Sequence, residues 1–256
     1  MNIMKLFNTA VLAGELLAKY GAETYRVEET ITRILGLAEE GEGEALASLT
    51  GFSASFNSEE TGRIASVKRV SDRKQRFDKL ITVNNISRKL CNGKMTLDDA
   101  NSELKEIYNK KDKVKGHYVA MAIVCLSFTV MFGGQWEEAL MAGIAGVASA
   151  GALVMLAKNA TGTFMSDILA AFAIAVVAYI GNYLGFASYN MDLAIIGGIM
   201  PMVPGVAITN ALFDTLHGDY LSGAARGLEA LVMALGIAIG IFFGLHLCGI
   251  FGGIVL

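Results

Sequence analysis

The chain has little of the residue types that usually reveal a catalytic or metal site. It contains three histidines and three cysteines in 256 residues. Cys91, Cys125 and Cys248 are odd in number and widely separated, so neither a disulfide framework nor a paired metal motif is predicted. No histidine precedes His117, which leaves the first part without the base that a hydrolase places beside its nucleophile. We therefore expect no enzyme, no cofactor and no metal.

Charge is also scarce, but only in the second part of the chain. Nineteen of the 21 lysines and arginines lie in the first 116 residues, together with seventeen of the 24 acidic residues. The remaining 140 residues carry nine charges, too few for the surface of a water-soluble domain. The sequence therefore predicts a small cytosolic α+β domain over residues 1–115, followed by a membrane all-α bundle over residues 116–256.

Five apolar stretches come close to the roughly 20 residues that cross a bilayer. They are His117–Gly134, Ala139–Ala157, Ile168–Phe186, Leu193–Phe213 and Ala224–Ile254. Basic residues crowd the entrance to the first stretch and recur in alternate loops: Lys105, Lys110, Lys111, Lys113, Lys115, Lys158 and Arg226. The opposite loops carry only Glu137, Glu138 and Asp192. The positive-inside rule then predicts a multi-pass inner-membrane protein with its N-terminus in the cytosol and its C-terminus outside.

In the first part, helical spacing places Leu6, Ala10, Ala13 and Leu17 on one face of a helix over Lys5–Tyr20. Gly21 is well placed to end it, and a second helix is expected over Glu23–Glu39. Alternation over Arg63–Val70, after a Ser- and Phe-rich segment from Ala45 to Asn57, predicts a hairpin that turns at Glu59–Gly62. Two further helices are predicted over Phe77–Cys91 and Leu97–Lys111, the second with Thr96 as its N-cap.

The only two prolines lie in the fourth apolar stretch. Pro201 and Pro204 each remove a backbone N–H, and Gly205 adds conformational freedom, so this helix is predicted to break near the bilayer midplane. A broken helix offers amides and a positive dipole end to a substrate carboxylate, with Thr209 and Asn210 within two turns as further hydrogen-bonding groups. The alternative is a bend that only serves helix packing.

Four ionisable residues border the last three apolar stretches: Asp167, Asp214, Arg226 and Glu229. Charges at membrane depth normally face a partner or a wet cavity. We expect Asp214 and Arg226 to receive an anionic substrate, and Asp167 and Glu229 to couple transport to protons. Mutual pairing at the headgroup level is the alternative.

Small residues recur every fourth position, as in Gly236, Gly240 and Gly244. This spacing predicts close helix packing, within one chain or between copies, so a homo-oligomer stays open.

Two segments together resemble the threonine/serine exporter family, and more closely its short YjjP-type members. The first contains Gly14 and Gly21-Ala22-Glu23-Thr24-x-Arg26-x-Glu28. The second contains Pro201-x-x-Pro204-Gly205, Asp214, Gly218-Asp219, Gly223 and Arg226. The similarity covers almost the whole chain.

The resemblance implies export of threonine and serine, or of a dicarboxylate such as succinate. It also implies a second small membrane subunit of the YjjB type as partner, because longer members fuse this unit to a further membrane domain. The expected function is therefore that of a secondary exporter subunit working by alternating access, with the bilayer and a small metabolite as partners and no nucleic acid. A non-transporting regulatory or scaffold subunit is the alternative.

Overall fold

The computed structural model describes residues 2–71, 73–110, 116–157, 163–184 and 189–252. Lys111, Lys113, Lys115 and Lys158, on which the predicted orientation depends, lie outside the described residues, as do the predicted ends of two spans at Phe186 and Ile254. The chain divides into two compact units. One comprises Met1–Asp112 with Val206–Gly227, and the other Lys113–Gly205 with Leu228–Leu256.

The first unit contains a three-stranded sheet and several helices. Its N-terminal elements are α1 (Ile3–Lys19), α2 (Thr24–Leu35), β1 (Glu42–Ser48), β2 (Gly51–Ser58), β3 (Gly62–Arg69), α3 (Phe77–Cys91) and α4 (Leu97–Asn109). It also holds nearly all of α9 (Gly205–Leu216) and the start of α10 (Tyr220–Gly252). The four apolar residues predicted to share a face of α1 are all at most 2% exposed in the core, which confirms the amphipathic helix.

The sheet is an antiparallel meander in the order β1-β2-β3. The hairpin predicted at Glu59–Gly62 is confirmed as the β2–β3 turn. The segment from Ala45 to Asn57 is not one arm, however, because it turns back at Leu49 and Thr50. That pair lacks the Asn-Gly or Asp-Gly sequence by which two-residue hairpin turns are usually predicted.

Two helix ends follow local sequence rules. The Thr96 side chain caps α4 by accepting from the Asp99 N–H, as predicted. Helix α2 ends at Leu35 and not at Glu39, since the chain leaves helical geometry after Gly36 and enters β1 at Glu42.

The second unit is helical throughout its described residues. It comprises α5 (His117–Met131), α6 (Trp136–Ala157), α7 (Thr163–Tyr183), α8 (Met191–Ile199), a 3₁₀ turn at Met200–Met202 and the part of α10 after Gly227. Within the described ranges, α6, α7 and α10 are long and apolar enough to cross a membrane, and α8 with α9 makes a fourth candidate if the pair counts as one span. Helix α5 is apolar but has 15 residues. The count of five spans stays a prediction.

Glycines set the closest helix contacts in the second unit. A Cβ at Gly240 would lie 2.2 Å from the Ile168 carbonyl oxygen, and one at Gly244 would lie 2.7 Å from the Ala175 side chain. Helix α10 therefore packs on α7 through its Gly-x-x-x-Gly repeat, within one chain, as small residues at this spacing allow.

Candidate functional site

The candidate site is a buried polar cluster inside the first unit, where α9 and the start of α10 contact the corner between α1 and α2. It consists of Gly21, Ala22, Thr24, Asn210, Asp214 and Arg226, and is called the corner cluster below. Three of its members, on α9 and α10, were predicted as site residues.

The corner owes its shape to the end of α1. Gly21 has a φ of 88°, and the N–H of Ala22 donates to the Leu17 carbonyl at 3.0 Å. This is a Schellman motif, which favours glycine because its φ is positive. The chain then enters α2 at Thr24. This short bend therefore leaves the last backbone carbonyls of the corner and the first N–H group of α2 available for hydrogen bonds.

Asp214 lies at the centre of the cluster and is fully buried. One of its oxygens, Oδ1, accepts from the backbone N–H of Thr24 at 3.0 Å and from the Thr24 hydroxyl at 2.9 Å. Glu23, the N-cap residue of α2, makes no side-chain cap. A carboxylate from α9 therefore caps α2, where the positive end of the helix dipole stabilises negative charge.

Arg226 neutralises this carboxylate. Its Nε lies 2.7 Å from Asp214 Oδ2, and the arginine is 6% exposed. Among the described residues neither atom has an aligned hydrogen-bond partner, so the contact is a close ion pair without a directional bond. Arg226 Nη2 also donates to the Ala22 carbonyl at 2.9 Å. A buried charge is tolerated when it is paired and hydrogen-bonded in this way.

Asn210 and three glycines hold the surrounding elements together. Asn210 is buried and its Nδ2 donates to the Gly21 carbonyl at 3.1 Å. A Cβ at Gly223 would lie 2.1 Å from the Thr215 hydroxyl, and one at Gly14 would lie 2.5 Å from the Ile31 side chain. These positions therefore allow α9 to approach α10 and α1 to approach α2. Gly218, with a φ of 89°, permits the turn between α9 and α10.

Two further contacts flank the cluster. The rings of Tyr25 and His217 stack with centroids 3.9 Å apart, and burial together with the charge of Glu23 raises the pKa of Tyr25. Asp219 caps α10 by accepting from the Ser222 N–H at 3.0 Å. Burial tends to raise the pKa of Asp219, but hydrogen bonds from Ser222 and Thr24 and the charge of Arg226 outweigh it, so the pKa is lowered.

The helix break predicted at the two prolines is confirmed. Helix α8 ends at Ile199, Pro201 lies in the 3₁₀ turn, and α9 starts at Gly205 directly after Pro204. A Cβ at Gly197 would lie 1.8 Å from the Thr129 hydroxyl, so α8 contacts α5 too closely for any side chain there. Thr209 is exposed on α9. Substrate binding at Pro201, Pro204, Gly205 and Thr209 stays a prediction.

The two predicted coupling residues belong to the second unit. Asp167 lies on α7, and its Oδ2 is buried without a hydrogen-bond partner in the described ranges. Glu229 is half-buried on α10. A third acid, Glu138, was expected only to face outside. It is 2% exposed and accepts from the backbone N–H groups of Gln135 and Asn190 at 2.7 and 2.8 Å.

The residue pattern around Thr24 predicts only a local capping corner between two helices. The structure adds their contact with Asp214 and Arg226, and the only sequence signal for it was that both segments belong to one family pattern. In the described part of the chain, no group of three or more His, Cys, Asp or Glu side chains is placed to hold a metal ion.

Comparison with known proteins identifies a family. A family model for the threonine/serine exporter (ThrE) matches residues 8–248. A "Threonine/serine exporter" from Corynebacterium glutamicum is 25% identical over 178 residues, which cover 67% of this chain and 36% of that protein. The "Probable succinate transporter subunit YjjP" of Escherichia coli (strain K12) is 24% identical over 132 residues, or 52% of each chain. The match thus spans about half or less of each relative's length. No solved structure matches significantly.

Proposed function

The chain belongs to the threonine/serine exporter family of membrane proteins, and from this premise we propose that it is a subunit of a secondary exporter for small carboxylate-bearing metabolites. The substrate class is a hydroxy amino acid such as threonine or serine, or a dicarboxylate such as succinate. The names of the two relatives support this range, and a carboxylate is what the two classes share.

The observation that carries the proposal is the interruption between α8 and α9 within an otherwise apolar helix pair. Unpaired amides in lipid are costly, so broken membrane helices are tolerated where they line a cavity or a binding site. A Cβ at Gly205 would meet nothing within 4 Å, which leaves room beside the first turn of α9. A substrate carboxylate binds there, at the positive end of that helix.

The corner cluster links this binding position to a conformational change. Asp214 lies on the same helix as Gly205, is hydrogen-bonded to Thr24 and forms an ion pair with Arg226. A substrate that enters from the cytosol past Arg226 and Asp214 weakens their pair before it binds at the break, and this shifts the equilibrium between two arrangements of α9, which is the event that alternating access requires. Arg226 thus receives the anion only when its ion pair with Asp214 separates.

Proton coupling is assigned to Asp167 and Glu229. Asp167 presents a buried carboxylate oxygen without a hydrogen-bond partner in the described ranges, and binding a proton removes the cost of that buried charge. The subunit lies in the inner membrane with five spans, its N-terminus in the cytosol and its C-terminus outside. A second membrane subunit of the YjjB type completes the exporter, which is supported by the name of the Escherichia coli relative as a transporter subunit.

Flux measurements in inside-out vesicles test the proposal. The chain is co-expressed with the candidate partner, and uptake of labelled threonine and succinate is compared for the wild type, Pro204→Ala and Arg226→Lys. Pro204→Ala restores a backbone N–H at the break, and Arg226→Lys keeps the charge but loses the second donor. Both are expected to lose most of the flux.

Gly227→Ala is the matched control, because a Cβ there meets nothing within 4 Å and it is the next residue after Arg226. It is expected to transport like the wild type. Equal flux in all four proteins, at equal amounts in the membrane, would reject the assigned roles of Pro204 and Arg226.

A scaffold subunit is the second candidate, favoured by the fact that Asp214 and Arg226 already form an ion pair with each other inside the first unit. It predicts that the purified complex binds neither labelled substrate and that Pro204→Ala has no effect on flux by the partner. Saturable binding that disappears in Pro204→Ala would decide for the exporter.

A further inference from the structure

Among the described residues, the sheet of the first unit has one largely open face, with the start of α10 near one end of it. Phe52, Ala54 and Phe56 of β2 point into the core and are at most 4% exposed. The alternate residues form the opposite, open face. On it Leu46 of β1 is 71% exposed and Val67 of β3 is 82% exposed. Two aliphatic side chains at this exposure, on a regular sheet, leave apolar surface in contact with water.

The open face is a trough near its middle, because Ser53 and Ser55 of the central strand are small there. They form the floor, and the longer side chains of Glu44, Leu46 and Val67 on β1 and β3 form the walls. The register places Leu46 beside Ser53 and Ser53 beside Val67. A sheet with a low centre and high edges accepts the side chains of another layer between its walls.

The two walls differ in charge. Glu42 and Glu44 lie on the β1 wall, whereas Arg63 and Arg69 lie on the β3 wall. Glu42 is level with Asn57 of β2, and Asn57 is level with Arg63. Glu42 and Arg63 therefore lie at the same position along the strands, on opposite sides of β2. Leu46 and Val67 share a second position, also on opposite sides of β2.

We propose that a second copy of this chain covers the open face, with its own open face turned toward the first and a two-fold axis parallel to the strands. This rotation places β1 of each copy over β3 of the other. Glu42 then faces Arg63 of the second copy, Leu46 faces Val67 of the second copy, and Ser53 faces its own equivalent. Each contact occurs twice, as an isologous interface requires.

The arrangement is an aligned sheet sandwich. Such layers stand about 10 Å apart and cross at about 30°, which keeps the residues near the centre opposite each other. Leu46 and Val67 fill the space above the two serine floors, where hydrophobic burial is favourable. Glutamate and arginine meet at the rim, where opposite charge sets orientation more than affinity.

The face is small. Strands about 4.8 Å apart that rise about 3.4 Å per residue give three strands a footprint on the order of 350 Å² per copy. A typical stable interface buries about 800 Å² per partner. The sheet contact therefore acts between copies that are held in the same membrane, where the effective concentration is high.

A second copy fits this face better than an unrelated protein does. Under the two-fold rotation, Glu42 meets Arg63 and Leu46 meets Val67 without any adjustment, since the distances along the strands are the same in both copies. This match follows from the register alone and does not depend on the transport function.

A charge exchange tests the pairing. Two differently tagged full-length copies are co-expressed in membranes, and association is measured as co-purification after lysine-independent cross-linking. Glu42→Arg alone places arginine against Arg63 of an identical copy, and Arg63→Glu alone places glutamate against Glu42. Each variant is expected to reduce self-association about fivefold or more, because two opposite-charge contacts per dimer become repulsive.

Mixing the two variants restores both attractive pairs, so Glu42→Arg copies are expected to associate with Arg63→Glu copies at the wild-type level. Single variants that self-associate like the wild type, or a mixture that does not recover, would overturn the proposal. Glu103→Arg is the control, since Glu103 is exposed on α4, away from the sheet, and its reversal is expected to change nothing.

Cysteine cross-linking tests the symmetry independently. In a background with Cys91→Ser, Cys125→Ala and Cys248→Ser, one tagged copy carries Leu46→Cys and the other Val67→Cys. A short bifunctional thiol reagent is expected to join these copies faster than it joins two Leu46→Cys copies, whose β1 strands lie on opposite walls. Equal rates, or cross-links only to other membrane proteins, would contradict the two-fold arrangement.

Discussion

Both compact units bring helices together through glycines, but among the described residues only the first unit also buries an ion pair. In the first unit a buried ion pair, Asp214 with Arg226, and its hydrogen bonds to Ala22 and Thr24 join segments far apart in the sequence. In the second unit, glycines such as Gly197 and Gly240 bring helix backbones together, and apolar contacts predominate. The large apolar core of the first unit can bury one paired polar cluster, whereas helices in lipid gain little from hydrophobic association and depend on steric fit.

The largest expected change in stability comes from removing one charge of the corner cluster. Arg226→Met leaves Asp214 buried without its partner and is expected to destabilise the protein by about 3–5 kcal/mol. The double variant Asp214→Leu with Arg226→Met removes both charges and is expected to recover much of that loss. Thermal unfolding of the detergent-purified chains, followed by circular dichroism, measures the difference. A single variant as stable as the double would show that the pair contributes little.

A methyl group at Gly240 tests the steric contact of the second unit. Gly240→Ala forces a Cβ to within 2.2 Å of the Ile168 carbonyl, so α10 must move away from α7. The expected cost is about 1–3 kcal/mol, typical of overpacking. Gly227→Ala, in the same helix but with open space at its Cβ, is expected to be neutral or slightly stabilising. The two unfolding midpoints are compared, and a loss of equal size in both would remove the steric explanation.

The bend between α1 and α2 depends on the backbone conformation of Gly21. It differs in this respect from the charge effect at Arg226 and the packing effect at Gly240. Gly21→Ala places an L-residue at a φ of 88° and is expected to cost about 1–2 kcal/mol. Gly36→Ala is the matched control at another helix end, because Gly36 has a φ of −66° and ordinary contacts. The check is the difference in unfolding midpoint, and similar midpoints would mean that the corner adapts without strain.

The smallest expected effect is a pH dependence at Asp219. Its pKa is lowered in the folded protein, so it stabilises the fold above its unfolded pKa of about 4, and this contribution is lost as the pH falls through the folded pKa. Asp219→Ser keeps an N-cap for α10 without a titrating group. It is expected to reduce the loss of unfolding free energy at acid pH by about 1 kcal/mol or less. An unchanged profile between pH 6 and pH 3 would exclude this role.

The local structure followed largely from the sequence. The apolar spacing of α1, the glycine at its end and the Thr96 cap depend on residues within one or two turns, and each is present as predicted. The helix break at Pro201 and Pro204 is similarly local, because proline removes its own N–H whatever surrounds it. The turn at Leu49 and Thr50 was missed, since neither residue has a strong turn preference and only the pairing of β1 with β2 defines it.

The site itself was only partly predictable. Asp214 and Arg226 were identified as a pair of interest from their charge in an apolar region, but their contact with the Gly21–Thr24 corner was not. Burying Asp214 requires the N–H of Thr24, which lies 190 residues earlier in the chain. Periodicity and composition describe neighbours in sequence, and therefore carry no information about that approach.

By itself, the sequence determined that the second part of the chain is too apolar for water, that its helix breaks at the prolines, and where the first part forms helices and a hairpin. Only the tertiary structure decided that the half-helix after Pro204 belongs to the first unit and that its aspartate caps a helix there. The physical reason is that helix formation and apolar patterning depend on each segment's own residues. The burial of a charge depends on whether distant segments together supply its counter-charge and hydrogen bonds.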